Sequence, residues 1–226
     1  MNKDEHYAKT KKYMLKSAEE RDGYYDAVDG APLKHTVWQK RIRSLVLNQM
    51  ARLIDRDPTI ESVVDVGCGR GDFTLEIAGR FPDLERVDGT DFVDETLEIG
   101  RRAARGMDRV TFTEGDLVGL PFEDDSFGIV ACINVLHHVH ETDQVKALTE
   151  LARIARGPLV FEIKNFDSVY YRYIHPKKLD DIDVYPTTAD AVSKGLLDLG
   201  YRRTVCTGIF GFNWLSPLTV LVFEKV

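Results

Sequence analysis

The amino-acid sequence predicts a protein of the α/β class, in which helices cover both faces of a mostly parallel, seven-stranded sheet. Two observations lead to this fold. From about residue 62 to residue 200, short apolar runs alternate with helical patterns, as expected for parallel strands joined by right-handed helical crossovers. The chain then ends in two β-rich runs, which indicate an antiparallel strand at the C-terminus.

Two helical segments precede this alternation. The first, Asp4–Glu20, follows helical spacing only in part, whereas Thr36–Ile54 has an apolar face. We therefore predict a helical N-terminal cap or lid over residues 1–58 and the main domain over residues 59–226.

The main domain is expected to contain seven strands and four helices. The strands are Ser62–Val66, Arg86–Thr90, Val110–Thr113, Gly128–Ile133, Pro158–Ile163, Tyr201–Phe212 and Leu218–Glu224. The helices are Asp72–Arg80, Asp94–Ala104, Thr142–Ile154 and Thr188–Leu199. Residues 213–217 are too few for a crossover helix, so the last two strands should be antiparallel.

The overall charge bears on the choice of partner. The formal net charge is −7, which disfavours a nucleic-acid partner, because its phosphates would need a basic face. Arginines at positions 101, 102, 105 and 109 do cluster. On a predicted helix and its exit, however, such a cluster more often forms a solvated face.

The cysteines bear on the compartment. Cys68, Cys132 and Cys206 are few, odd in number and without metal-ligand spacing. They favour a reducing compartment, and we expect the cytoplasm. The N-terminus lacks the apolar core of a signal peptide, and no stretch is apolar and long enough to span a membrane.

Gly67, Gly69 and Gly71 form a glycine-dense turn between the first predicted strand and its helix. Glycine is needed where the backbone approaches a ligand or takes a positive φ angle, so we expect a ligand here. A dinucleotide fingerprint would have Gly or Ala where Asp72 stands. A carboxylate there repels a pyrophosphate but suits a ligand with positive charge. NAD or FAD, and a turn without any ligand, are the alternatives.

Carboxylates also follow the next two strands. Asp91 ends the second strand, about 20 residues after the last glycine, where a carboxylate can bind both hydroxyls of a ribose. Asp116 follows the third strand. Ligands of open α/β sheets bind at the carboxyl ends of the strands, so these signals together indicate one site. A surface position for Asp91 and a simple turn around Asp116 are the alternatives.

From about Ser62 onward, the chain resembles the class I S-adenosylmethionine-dependent methyltransferases, which have a Rossmann-like, doubly wound fold. The run Asp65-x-Gly67-x-Gly69-x-Gly71 is similar to the first motif of that family. The resemblance implies S-adenosyl-L-methionine as cofactor and S-adenosyl-L-homocysteine as product. It implies these cofactor-binding residues: Asp65, Gly67, Cys68, Gly69, Gly71, Asp91, Phe92, Asp116, Leu117, Asn134 and Val135. Asp116 would accept from the adenine amine, with Phe92 and Leu117 flanking the ring.

The segment after the fourth strand is where the family lines the path from the methyl group to its acceptor. His137 or His138 could act there as a general base, because an imidazole titrates near neutral pH. A histidine that is merely hydrogen-bonded or exposed is the alternative. We expect no metal, since adjacent side chains in this segment point apart and no cluster has ligand spacing.

Aromatic residues outside the strands suggest an apolar acceptor pocket. The candidates are Tyr24, Tyr25, Asn165, Tyr170, Tyr171 and Trp214. Core packing is the alternative for Trp214. Three of these candidates belong to the long connection of residues 166–186 or border it, and a connection of that length is usually functional. Tyr24 and Tyr25 precede the sheet and are expected to belong to a mobile cap.

Taken together, these features predict methyl transfer to an O, N or C nucleophile of a small molecule by a monomer or homodimer. The choice of a small molecule rests on the acidic net charge and the aromatic segments. The alternatives are a methyltransferase of RNA or of a protein side chain, and a non-catalytic subunit that binds S-adenosylmethionine.

Overall fold

Seven strands form a single sheet in the computed structural model of the protein, which describes residues 2–20, 33–173, 178–179 and 182–226. They are β1 (Ser62–Val66), β2 (Arg86–Asp91), β3 (Val110–Glu114), β4 (Ile129–Ile133), β5 (Leu159–Lys164), β8 (Tyr201–Gly208) and β9 (Leu218–Lys225). A separate two-stranded pair consists of β6 (Lys178–Leu179) and β7 (Ile182–Asp183).

The order of the strands across the sheet is β3-β2-β1-β4-β5-β9-β8. Strands β1 to β5 pair in parallel, and β9 is antiparallel to both of its neighbours. The predicted mostly parallel, seven-stranded sheet with an antiparallel C-terminal strand is therefore confirmed. The connection after β1 runs to β2 on one side, and the connection after β4 runs to β5 on the other. The strand order therefore reverses between β1 and β4, and ligands of such sheets bind at this switch point.

The helices cover both faces of the sheet. They are α1 (Lys3–Glu20), α2 (Leu33–Arg56), α3 (Asp72–Arg80), α4 (Asp94–Ala103), α5 (Gln144–Ile154), α6 (Val169–Tyr173) and α7 (Ala189–Leu197). One buried apolar cluster joins α2, α3 and α4 to one face, and a second joins α5 and α7 to the other. Strands β1 and β4 are buried along their whole length, as expected for central parallel strands, and β4 is apolar throughout.

The two N-terminal helices have different surroundings. Helix α2 packs on β5 and β9, and its Ile42, Val46 and Met50 are buried in the main core. Helix α1 instead contacts α4 and β7, near the carboxyl ends of the strands. The predicted boundary between residues 1–58 and 59–226 stays a prediction. None of the described helices is both long and apolar enough to cross a bilayer.

The structure differs from the prediction in two connections. Residues 166–186 contain the short helix α6 and the β6–β7 pair. The predicted strand Tyr201–Phe212 ends at Gly208, because the chain turns there. The Gly208 carbonyl accepts a hydrogen bond from the N–H of Gly211 (2.9 Å), which has a φ angle of 82°.

Candidate active site

A cavity of about 190 Å³ lies at the carboxyl ends of the strands, beside the switch between β1 and β4. Two walls face it. The glycine-turn wall comprises the lining residues of segments 65–73 and 91–96, after β1 and β2. The β4–β5 wall comprises Ile133, Asn134, Val135, His138 and Lys164. Helix α1 adds Tyr13 and Met14.

Most of the predicted cofactor residues line this cavity. They are Asp65, Gly67, Cys68, Gly69, Asp91, Phe92, Leu117, Asn134 and Val135. Gly71 is buried at the start of α3, where an added Cβ atom would overlap the Phe112 ring. Asp116 is exposed, and its Oδ1 accepts from the N–H of Val118 (3.1 Å).

The glycine turn depends on glycine for two reasons. Gly67, Gly69 and Gly71 have φ angles of 79°, 55° and 79°, a region that side-chain-bearing residues rarely adopt. A Cβ atom on Gly67 would also overlap the side chain of Val135. The N–H groups of Gly67 and Cys68 both donate to the Thr90 carbonyl (2.7 and 3.0 Å), which fixes the turn against β2.

Asp91 is held by backbone donors. Its Oδ2 accepts from the N–H of Gly69 (2.9 Å), and its Oδ1 accepts from the N–H of Val93 (3.0 Å). Burial raises the pKa of Asp91, while these backbone hydrogen bonds oppose the rise. Each carboxylate oxygen has a further lone pair, so Asp91 can still accept hydrogen bonds from a ligand in the cavity.

Asp65 lies under the turn and is buried, with 2 % of its surface exposed. Its Oδ2 accepts from the hydroxyl of Thr74 (2.8 Å). Burial raises the pKa of Asp65 to about 7, although the Thr74 hydrogen bond acts in the opposite direction. A cationic ligand in the cavity would favour the ionised form of this carboxyl group.

The two candidate histidines differ in position. His137 is buried outside the cavity lining, and its Nε2 has no hydrogen-bond partner among the described residues. His138 lines the cavity, with its ring 4.0 Å from that of His137 between centroids. Burial lowers the pKa of both, that of His138 to about 3, where Lys164 and His6 add to the effect. Such an imidazole is a weak proton acceptor at neutral pH.

The predicted acceptor residues that the structure describes lie outside the cavity lining. Tyr24 and Tyr25 lie outside the described residues. Asn165 is buried and donates to the carbonyls of Asn213 (2.6 Å) and Ser216 (3.1 Å), joining β5 to the β8–β9 loop.

The three remaining aromatic candidates group around α6. Tyr170 packs edge-on against Trp38, and Tyr171 stacks on Phe166. Trp214 is exposed, and its carbonyl accepts from the N–H of Val169 (2.9 Å). Their part in an acceptor pocket stays a prediction.

Helix α1 belongs to the predicted N-terminal cap, but the sequence did not single out the residues through which it contacts the site. Its His6 donates from Nε2 to the His138 carbonyl (2.7 Å), and its Tyr7 hydroxyl donates to Asp143 (2.9 Å). These contacts hold Tyr13 and Met14 against the cavity. The partly helical spacing of Asp4–Glu20 predicted a helix in the cap, but it did not indicate Tyr13 or Met14 as lining residues.

Lys164 is a further part of the site that the sequence did not single out. It ends β5 and faces the cavity, while Glu162, two residues earlier on the same side of the strand, is buried. Burial lowers the pKa of Lys164 and raises that of Glu162, and their opposite charges resist both changes. A cation at the carboxyl end of an apolar strand was the available signal. Among the described residues, no group of three side chains could hold a metal ion.

Comparison with known proteins gives a family match over part of the chain. Residues 63–157 match a family model described as a methyltransferase domain. The demethylmenaquinone methyltransferase of Staphylococcus aureus (strain Newman) is 29% identical over 154 residues, which are 63% of this chain and 59% of that protein. The chain thus covers less than two thirds of that relative.

Solved structures share the fold. Magnesium protoporphyrin IX methyltransferase from Synechocystis PCC 6803, with bound SAH, has a TM-score of 0.70 at 17% identity and covers 98% of this chain and 97% of its own. A second structure is the 1,6-didemethyltoxoflavin-N1-methyltransferase of Burkholderia thailandensis with bound 1,6-didemethyltoxoflavin and S-adenosylhomocysteine. Its TM-score is 0.69 at 18% identity, and the match covers 100% of this chain and 91% of that chain. The predicted class I fold is confirmed.

Proposed function

From a methyltransferase domain at residues 63–157 on the class I fold, we propose that the protein moves a methyl group from S-adenosyl-L-methionine to a small molecule. The acceptor atom would be O, N or C, and S-adenosyl-L-homocysteine would be released. One observation carries this proposal. The Asp91 carboxylate is held by the Gly69 N–H at the switch point of the sheet, beside a turn that only glycine can form.

The cavity suits a cationic nucleoside. Asp91 would bind the ribose hydroxyls, and Phe92 and Leu117 would flank the adenine. The raised pKa of Asp65 leaves a carboxyl group that an ammonium can ionise.

Bound S-adenosyl-L-methionine would supply a methyl group activated by a sulfonium. The chain then needs no nucleophile of its own, and its residues act by holding both reactants in line. Such alignment can supply ~7–11 kcal/mol of the barrier reduction. Tyr13 and Met14 line the cavity. They would help to exclude water, which favours a transition state that disperses charge.

Three considerations favour a small-molecule acceptor. The net charge is −7, which disfavours RNA. Two residues of α1, Tyr13 and Met14, line the cavity. The compared methyltransferases are named for demethylmenaquinone, magnesium protoporphyrin IX and 1,6-didemethyltoxoflavin. A monomer or homodimer, and a cytoplasmic setting, stay predictions from the sequence.

The test is turnover. The protein is incubated with methyl-labelled S-adenosylmethionine and a metabolite extract, and we expect one metabolite to gain a single labelled methyl group by mass spectrometry. The Asp91→Ala variant is the control that should lose this product. Label in RNA or protein would favour a macromolecular acceptor, and cofactor binding without any labelled product would favour the non-catalytic alternative.

A further inference from the structure

A lysine stands on the β4–β5 wall of the cavity, away from the cluster of carboxylates. Lys164 ends β5, and Asp91 ends β2. In the order β2-β1-β4-β5 these strands are three steps apart, which is about 14 Å at the usual strand spacing. Lys164 shares its wall with Asn134, Val135 and His138. It therefore lies on the side where the methyl acceptor would enter, if the proposed function holds.

The charge of Lys164 is poorly compensated. Among the described residues, its Nζ has neither a hydrogen-bond nor an ion-pair partner. Glu162 interacts with Lys164 by charge attraction without a direct contact. The Oε1 atom of Glu162 itself lacks a hydrogen-bond partner within the described part of the chain. Lys164 is half-buried, and a partly desolvated cation without a close counter-ion is unfavourable, so an anionic ligand oxygen would complete the site.

Neither histidine is suited to assist deprotonation of the acceptor. His138 shares the wall, but its pKa of about 3 makes it neutral and a weak base at neutral pH. An acceptor that needs to lose a proton would thus be helped by a positive charge beside its oxygen rather than by an imidazole base. A nearby cation favours the ionised form of an acidic hydroxyl group.

We propose that Lys164 binds the oxygen anion of the methyl acceptor, and that the acceptor is an enol or phenol that reacts as its enolate or phenolate. The inference rests on the proposed function. The hydroxyl proton leaves to solvent when the acceptor binds. An electron pair of the oxygen, or of the carbon conjugated with it, forms the bond to the methyl carbon. The sulfur–methyl bond breaks, its electron pair stays on sulfur, and the positive and negative charges cancel.

The probe is 4-nitrophenol, whose phenolate absorbs visible light and which ionises near neutral pH. It is titrated into the full-length protein saturated with S-adenosylhomocysteine, over a series of pH values. We expect the wild type to lower the pKa of the bound phenol by about one unit or more. Lys164→Met should abolish that shift and weaken phenolate binding about tenfold to a hundredfold, the range for a hydrogen bond to a charged group.

Three controls isolate the charge. Lys164→Arg keeps the cation and should retain part of the shift. Lys146→Met removes an exposed lysine of α5 and should behave as the wild type. Lys164→Met/Glu162→Gln removes the buried carboxyl group as well, so it provides a folded variant if Lys164→Met alone is unstable. Circular dichroism checks folding.

Other outcomes would overturn the proposal. If the bound phenol ionises equally in wild type and Lys164→Met, or if the wild type binds the cofactor but no phenolate, Lys164 does not bind an acceptor anion. If Lys164→Met weakens S-adenosylhomocysteine alone, Lys164 holds the cofactor carboxylate instead. Calorimetry of S-adenosylhomocysteine with the wild type separates these results from a failure of the proposed function, in which the cofactor itself would not bind.

Discussion

The glycine-turn wall and the β4–β5 wall face one cavity, but backbone groups shape the first and side chains form the second. On the glycine-turn wall, backbone N–H groups and left-handed glycines position the carboxylates, as at Gly69 and Asp91. On the β4–β5 wall, side chains from separate segments meet, and the Nδ1 atom of His138 has no hydrogen-bond partner within the described residues. A fixed wall suits a constant cofactor, and an unsatisfied wall suits a variable acceptor.

The first prediction concerns the buried carboxyl group of the glycine-turn wall. The pKa of Asp65 is about 7 in the folded protein, against 3.8 ordinarily. The folded state therefore holds a proton that the unfolded chain releases near pH 4. The stability from this site is complete below about pH 4 and is lost as the pH rises through about 7. The difference in unfolding free energy between the wild type and Asp65→Asn should therefore fall by up to about 4 kcal/mol as the pH rises across that window.

Urea unfolding over a pH series measures this difference. Thr74→Val is the matched variant, because it removes the hydrogen bond that lowers the Asp65 pKa. The pKa of Asp65 should be higher in Thr74→Val, so the fall of unfolding free energy with pH should continue to a higher pH than in the wild type. Parallel pH profiles for wild type and Asp65→Asn would show that desolvation does not govern this wall.

The second prediction separates two reasons for glycine. In Gly67→Ala the new methyl group would be strained by the positive φ angle and would also overlap the Val135 side chain. In Gly69→Ala only the positive φ angle causes strain, because the space around the added Cβ is open. We expect a loss of about 3 kcal/mol in unfolding free energy for Gly67→Ala, from strain and overpacking together. For Gly69→Ala we expect about 1–2 kcal/mol.

A second substitution, on the β4–β5 wall, should restore part of the stability lost in Gly67→Ala. Gly67→Ala/Val135→Ala removes the overlapping side chain, so it should recover part of the loss relative to Val135→Ala alone. Chemical denaturation measures all four variants. Equal losses for the two glycine variants would mean that contact between the walls does not constrain the turn.

The third prediction compares two carboxylates named by the sequence. Asp91→Ala removes a buried acceptor held by two backbone donors, and we expect S-adenosylhomocysteine to bind about tenfold to a hundredfold more weakly. Asp116→Ala removes an exposed side chain outside the cavity lining, so we expect a change of only a few-fold. Calorimetry measures both, and an equal loss would place Asp116 on the cofactor after all.

The sequence predicted the glycine-turn wall because its information is local. The strand Ser62–Val66 and the helix Asp72–Arg80 have the predicted bounds, and the glycines between them are consecutive signals. Asp91 could be found because a carboxylate after a buried strand marks the ligand edge of the sheet. Backbone-encoded geometry of this kind stays within a short stretch of chain.

The β4–β5 wall could be predicted only in part. Asn134 and Val135 followed from the family resemblance, but Lys164 reads in sequence like any lysine at the end of a strand. Its place in the cavity depends on β5 lying beside β4. Tyr13 and Met14 were missed because α1 reaches the site through contacts of His6 and Tyr7 with residues more than 130 positions away.

The smallest expected effect concerns α1, which closes both walls. The Tyr7 hydroxyl donates to Asp143 (2.9 Å), and it accepts from the N–H of His140 (3.3 Å). Tyr7→Phe should weaken the docking of α1 by about 1.5 kcal/mol, the lower end of the range for a hydrogen bond to a charged group. Proteolysis within residues 2–20 should become about tenfold faster, and S-adenosylhomocysteine should slow it in the wild type. Tyr173→Phe changes an exposed tyrosine of α6 and is the matched control. If cleavage of α1 is the same with and without the cofactor, α1 is a fixed part of the fold, and the two walls are closed by packing alone rather than by the ligand.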